Sequence, residues 1–132
     1  MRTLRAVVVV LALLATTLSA AAALLQPLVV DWPQYFRVES ESSVRDGGTV
    51  VKGTVWNIAN WSTKRIQLLV DGVDVGGQVV NQKVIWLGVD LTPGTHAAFE
   101  VPMPTSPGYR VSVFAFESGR GGHRSWRPGR LG

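Results

Sequence analysis

The chain has no cysteine, which excludes disulfides, thiolate nucleophiles and cysteine-ligated zinc or iron–sulfur centres together. It has only two histidines, His96 and His123, and a zinc site needs three or four clustered ligands. Charged residues are scarce at 17% while 46% of the chain is hydrophobic, a balance that argues against disorder of the whole chain. No helical apolar repeat occurs beyond the first 25 residues. What is abundant is turn chemistry, 14 glycines and 7 prolines. A small domain without disulfides must be held by core packing alone, which favours a complete two-sheet core over a loop-rich scaffold.

The N-terminus begins Met-Arg-Thr-Leu-Arg, continues through the apolar run Ala6–Leu18, and reaches the small residues Ser19-Ala-Ala-Ala-Ala23. That order is a secretory leader with a signal-peptidase site. Ala6–Leu25 is also about twenty apolar or small residues, long enough to cross a bilayer uncut as a hydrophobic helix. Signal peptide and signal anchor both place the rest of the chain outside the cytoplasm, because Arg2 and Arg5 hold the start inside. The product is expected to be secreted, periplasmic or membrane-held. About 90–105 residues then remain to fold, the size of one sandwich domain.

The formal charge of +4 sits at the two ends. Without Arg2, Arg5 and the tail residues Arg120, Arg124, Arg127 and Arg130, seven basic side chains face nine acidic ones. The body is slightly acidic, so no nucleic-acid partner is expected. The Arg/Gly tail is read as a mobile terminus, or as an arm for anionic membrane or cell-wall polymer through those four arginines.

Turn signals recur at Asp46-Gly-Gly48, Ala59–Thr63, Asp71-Gly72, Gly76-Gly77, Thr92-Pro-Gly94, Ser106-Pro-Gly108 and Gly119–Gly122. Strands are expected near Tyr35–Ser40, Thr49–Asn57, Arg65–Asp71, Gln78–Leu87, His96–Pro102, Tyr109–Ser118 and His123–Arg127, an all-β pattern. Alternation puts Val51, Gly53, Val55 and Asn57 on one core face, with Ile66, Leu68 and Val70, and Ala97, Phe99 and Val101, on others. Lys52, Thr54, Gln67, Asp71, His96, Glu100 and Arg110 should face solvent, and Leu87 and Leu91 should close one end of the core. Gly53, inside a strand, indicates a bulge or a close approach.

Ser106–Glu117 is the clearest segment. Tyr109, Val111, Val113 and Ala115 fall inward, Arg110, Ser112, Phe114 and Phe116 outward, and a tyrosine at the head of such a strand bonds back to the backbone in immunoglobulin-like sandwiches. The expected fold is therefore an immunoglobulin-like two-sheet β-sandwich of about seven strands. Its divisions are a leader over 1–23, an N-terminal segment with the first strand over 24–43, a sandwich core over 44–117 and a basic tail over 118–132.

Gly53-Thr-Val-Trp-Asn57, Ile66-Gln-Leu-Leu-Val-Asp-Gly72, Leu91-Thr-Pro-Gly94, Phe99-Glu-Val-Pro102 and Pro107-Gly-Tyr-Arg-Val-Ser-Val113 together resemble the bacterial cell-adhesion-related CARDB domain. The similar FxLYD domain shares the Gly-x-Val-x-Asn strand and the Leu-x-Pro-Gly turn, and Tyr109–Ala115 is similar to the corresponding strand of fibronectin type III domains. The tryptophan of the fibronectin second strand has no counterpart, since Trp56 falls outward. The resemblance covers about Val44–Glu117 and implies a non-catalytic binding or spacer module of the bacterial envelope.

Catalytic equipment is sparse. Asp71, Asp74 and Asp90 match no calcium-loop spacing and are read as turn formers. Glu100 and Glu117 lie on different strands with no implied cleft, and no serine sits in a nucleophile elbow. Asn60-Trp-Ser62 is read as a polar turn, and the glycine loops lack the lysine and helix of a phosphate cradle. No enzyme activity, cofactor or metal is expected. The five tryptophans carry more: Trp56, Trp86, Phe114 and Phe116 are the candidate outward strip for a protein partner, with a glycan as the alternative. Cover by residues 24–36, by the tail with Trp126 or by their own hairpin neighbours is the structural alternative.

Overall fold

The computed structural model describes residues 23–119. Residues 1–22 of the leader, the strand expected at His123–Arg127 and the arginines Arg120, Arg124, Arg127 and Arg130 lie outside the described residues. Within them the chain runs through a short 3-10 turn (Trp32–Gln34), then β1 (Phe36–Arg45), β2 (Gly48–Asn57), β3 (Thr63–Val73), β4 (Val79–Trp86), β5 (His96–Met103) and β6 (Gly108–Ser118). No helix among the described residues is long and apolar enough to cross a membrane.

Two antiparallel three-stranded sheets form, ordered β1-β2-β5 and β4-β3-β6. Their inner faces share one core. Val51, Val55, Phe99 and Val101 come from the first sheet, and Ile66, Leu68, Val70 and Val113 from the second, with Phe36 and Leu91 closing the cluster. The two-residue period of a strand sets these faces, with polar residues between them in β2 and only in part in β3 and β6, where Leu69 and Phe114 stand at outward positions. Leu87 packs on the same core from the loop after β4.

Local chemistry explains the joints. Asp46 and Gly47 both take positive φ, 47° and 79°, the left-handed pair that closes a tight hairpin with the twist of its strands. Asn57, fully buried, gives its amide to the carbonyls of Trp61 (2.9 Å) and Leu91 (2.8 Å) and accepts from the Ala59 amide (2.8 Å). Its side chain thereby shapes the Asn60-Trp-Ser62 turn. The Tyr109 hydroxyl donates to the Pro104 carbonyl (2.6 Å) and accepts from the Ser106 amide (2.8 Å), the backbone return expected of that tyrosine. At Gly53 a Cβ would meet the Glu39 carbonyl oxygen and, at 2.8 Å, the Phe99 ring, so the expected close approach is what the glycine permits.

Two expectations need correction. Opposite β3, Val113 pairs with Leu68 and Ala115 with Gln67, which gives β6 one extra residue, Phe114, at a β-bulge. A bulge shifts the alternation. Phe116, expected outward, therefore turns onto the core and meets Phe36 edge-on, with ring centroids 4.9 Å apart; Ala115 gives up the inward place. Asp71, expected in solvent near a loop, lies inside β3 with its side chain only 7% exposed. It does point to the outer face, but that face is covered.

Candidate functional site

The cover is the segment from Leu24 to Asp31, which crosses the outer side of β4-β3-β6 as a strap. The Leu25 amide donates to Gln82 Oε1 (2.9 Å) and the Gln82 amide donates back to the Leu25 carbonyl (3.0 Å). Three residues on, the Leu28 amide donates to the Phe114 carbonyl on β6 (2.8 Å). Beneath the strap a groove of about 410 Å³ is lined by Leu24, Pro27, Trp32, Leu69, Asp71, Arg110 and Ser112, among others. Leu69 is buried although its register with Ser112 places it outward. Asp71 accepts from Gln82 (2.9 Å) and from Arg110 (3.2 Å), so its charge is met under the strap.

The strap hides backbone and a few side chains yet leaves its own aliphatic side chains in solvent. Leu24, Leu25, Leu28 and Val30 are exposed, Leu28 at 69% and Val30 at 88%. Trp86, on the outer face four residues along β4 from Gln82, is 60% exposed.

The other outer face, on β1-β2-β5, is built from three cross-strand rows. The first is Arg37, Trp56 and His96; the second Glu39, Thr54 and Ala98; the third Glu41, Lys52 and Glu100. Arg37 stacks on the Trp56 ring, its guanidinium carbon 4.2 Å from the centroid, and His96 lies 5.8 Å from it on the other strand. The small residues Thr54 and Ala98 leave an open depression of about 420 Å³ beside Glu39, Glu41, Lys52 and Glu100. Lys52 approaches Glu41 (3.9 Å), and Arg45 binds Glu100 (3.0 Å). These pairs are solvent-exposed, so they orient side chains more than they stabilise the fold.

The four candidate strip residues do not form one strip. Trp56 is half-buried on the β1-β2-β5 face, Trp86 is exposed on the β4-β3-β6 side, Phe114 is half-buried at the bulge, and Phe116 is turned inward. Phe116 instead belongs to a cluster with Tyr35, Phe36 and Trp61. In that cluster Tyr35 donates to Asp31 (3.3 Å), and the Asp31 carboxylate, with burial and this bond adding to it, raises the phenol above its ordinary value of 10.0. A sugar platform would need coplanar exposed Trp or Tyr rings; among the described residues the Tyr35–Trp61 pair is tilted by 48°.

Glu100 and Glu117 sit on different sheets, bound to Arg45 and Arg65. Asp74 is a turn former, accepting from the amides of Gly76 and Gln78 (2.9 Å each). No group of three or more His, Cys, Asp or Glu side chains placed to hold a metal occurs among the described residues. Sequence reasoning named residues 24–36 as a cover for the outward aromatics, but not that the segment would lie over Leu69 and Asp71. The one available signal was Leu68-Leu-Val70, three apolar residues in a row where alternation would leave one exposed, the mark of a strand covered on both faces.

No family profile, curated protein or solved structure matches the chain.

Proposed function

We propose that the chain is an exported, non-enzymatic binding or assembly module of the bacterial cell envelope, with an immunoglobulin-like sandwich related to CARDB and FxLYD domains. The strand order β1-β2-β5 over β4-β3-β6 and the Tyr109 return support that fold. A protein partner docks on the outer face of β1-β2-β5. The observation that carries this reading is the Arg37–Trp56 stack beside the open depression. Tryptophan and arginine are the residue types that most often anchor protein interfaces, and here each holds the other in place before a partner arrives. The mixed charges of Glu39, Glu41, Lys52 and Glu100 would set the partner's register rather than its affinity.

The test is cross-linking and pull-down of the full-length protein from its own envelope, against Trp56→Ala and Thr54→Arg variants shown by circular dichroism to stay folded. Loss of the same partner protein from both variants is the expected result. Full recovery from both, or retention on purified cell-wall glycan in place of a protein, would overturn the reading.

A further inference from the structure

The two outer faces differ in kind. The β1-β2-β5 face is a field of exposed charge, Glu39 paired with Arg37, Glu41 with Lys52 and Glu100 with Arg45. On the β4-β3-β6 face Asp71 is buried against Arg110 and Gln82, Glu117 stays exposed beside Arg65 at the far end of β6, and Asp31 at the end of the strap accepts from Tyr35. Over this second face lie the exposed aliphatic side chains of the strap and, farther along β4, Trp86.

We infer that the strap side of the domain, through Leu24, Leu25, Leu28, Val30 and Trp86, lies against the lipid bilayer as a docking face. The inference rests on reading Ala6–Leu25 as a retained anchor, and it goes beyond that reading by fixing the orientation of the domain. Crossing a hydrocarbon core of about 30 Å takes about 17 to 25 residues, and Ala6 to position 22 supplies about 17 of them. Leu25, three residues farther on, is already bonded through its backbone to Gln82 of β4. No free linker separates membrane from fold, since three extended residues reach at most about 11 Å from position 22 to Leu25. The domain cannot stand off from the bilayer, and the side it must present is the strap. That side offers aliphatic groups and a tryptophan of the kind that settles at the interface. The charged face with Trp56 and Arg37 is left pointing away, free for a partner.

The absence of cysteine makes the test direct. The full chain is placed in nanodiscs of phosphatidylethanolamine and phosphatidylglycerol with a spin label at a single introduced cysteine, Leu28→Cys, Val30→Cys, Trp86→Cys or Thr54→Cys. Labels at 28, 30 and 86 should lose access to an aqueous nickel complex and gain access to lipid-dissolved oxygen, while the label at 54 stays water-accessible. Equal nickel access at 28, 30 and 54 would overturn the docking. Shielding at 28 and 30 without a gain in oxygen access would overturn it too, in favour of a protein cover. The intact mass of the chain from its own membranes separately reports the anchor: a product beginning near Leu24 would remove the premise, whereas an uncut chain with water-exposed labels would refute the docking alone.

Discussion

Gln82 imitates a neighbouring strand for Leu25: its side-chain amide both accepts from the Leu25 amide and donates to the Leu25 carbonyl, at 2.9 and 3.0 Å. The same amide nitrogen bonds Asp71. One residue thus fixes the strap and satisfies a buried carboxylate. Replacing it by an apolar side chain of like size removes three bonds and leaves Asp71 with Arg110 alone. Gln82→Leu should destabilise the fold by about 2 kcal/mol in urea unfolding, and it should speed hydrogen exchange at the Leu25 and Leu28 amides before the rest of the sheet. Unchanged exchange at both would show that the strap is held by other contacts.

The bulge at Phe114 makes two neighbouring phenylalanines unequal. Phe116→Ala empties a place in the cluster of Tyr35, Phe36 and Trp61 and should cost about 3 kcal/mol. Phe114→Ala removes a ring that is not part of the core and keeps the carbonyl that the strap uses; its cost should be about 1 kcal/mol. Equal losses in denaturant titrations would restore simple alternation along β6.

Tyr109 joins the loop before β6 to the strand itself. Tyr109→Phe keeps the ring against the core and deletes the bonds to the Pro104 carbonyl and the Ser106 amide. A loss of about 1–2 kcal/mol is expected, with faster exchange at the Ser106 amide. Wild-type stability in this variant would mean that water replaces the hydroxyl without cost.

Alkaline titration isolates Tyr35, one of two tyrosines. The Asp31 charge opposes a second negative charge on the phenol, so Tyr35 holds its proton to higher pH than the ordinary 10.0. Because the folded value is raised, the contribution to stability is complete below the unfolded pKa of about 10 and is lost as pH rises through the folded value. The ultraviolet difference titration between wild type and Tyr35→Phe should therefore have its midpoint above 10.0. Asp31→Asn should move that midpoint down, and a midpoint at or below the ordinary value would contradict the assignment.

Strand existence and most of the core were legible because they are periodic and local. Val51 with Val55, Ile66 with Leu68 and Val70, and Phe99 with Val101 all lie where two-residue alternation puts them. Tyr109, Gly53 and the Asp46-Gly47 turn were legible for a related reason: each is a residue type whose geometry demands one kind of neighbour.

Phe116, Asp71, Leu69 and the scattering of the aromatics were decided in three dimensions. A bulge is a mismatch between two strands, so no reading of β6 alone could turn Phe116 inward. The strap carries no period at all, and what it buries depends on Gln82 and the Phe114 carbonyl, 57 and 86 residues away in sequence. Alternation determines which side of its own strand a residue takes. Only tertiary packing decides whether that side is met by solvent, by the strap or by another surface.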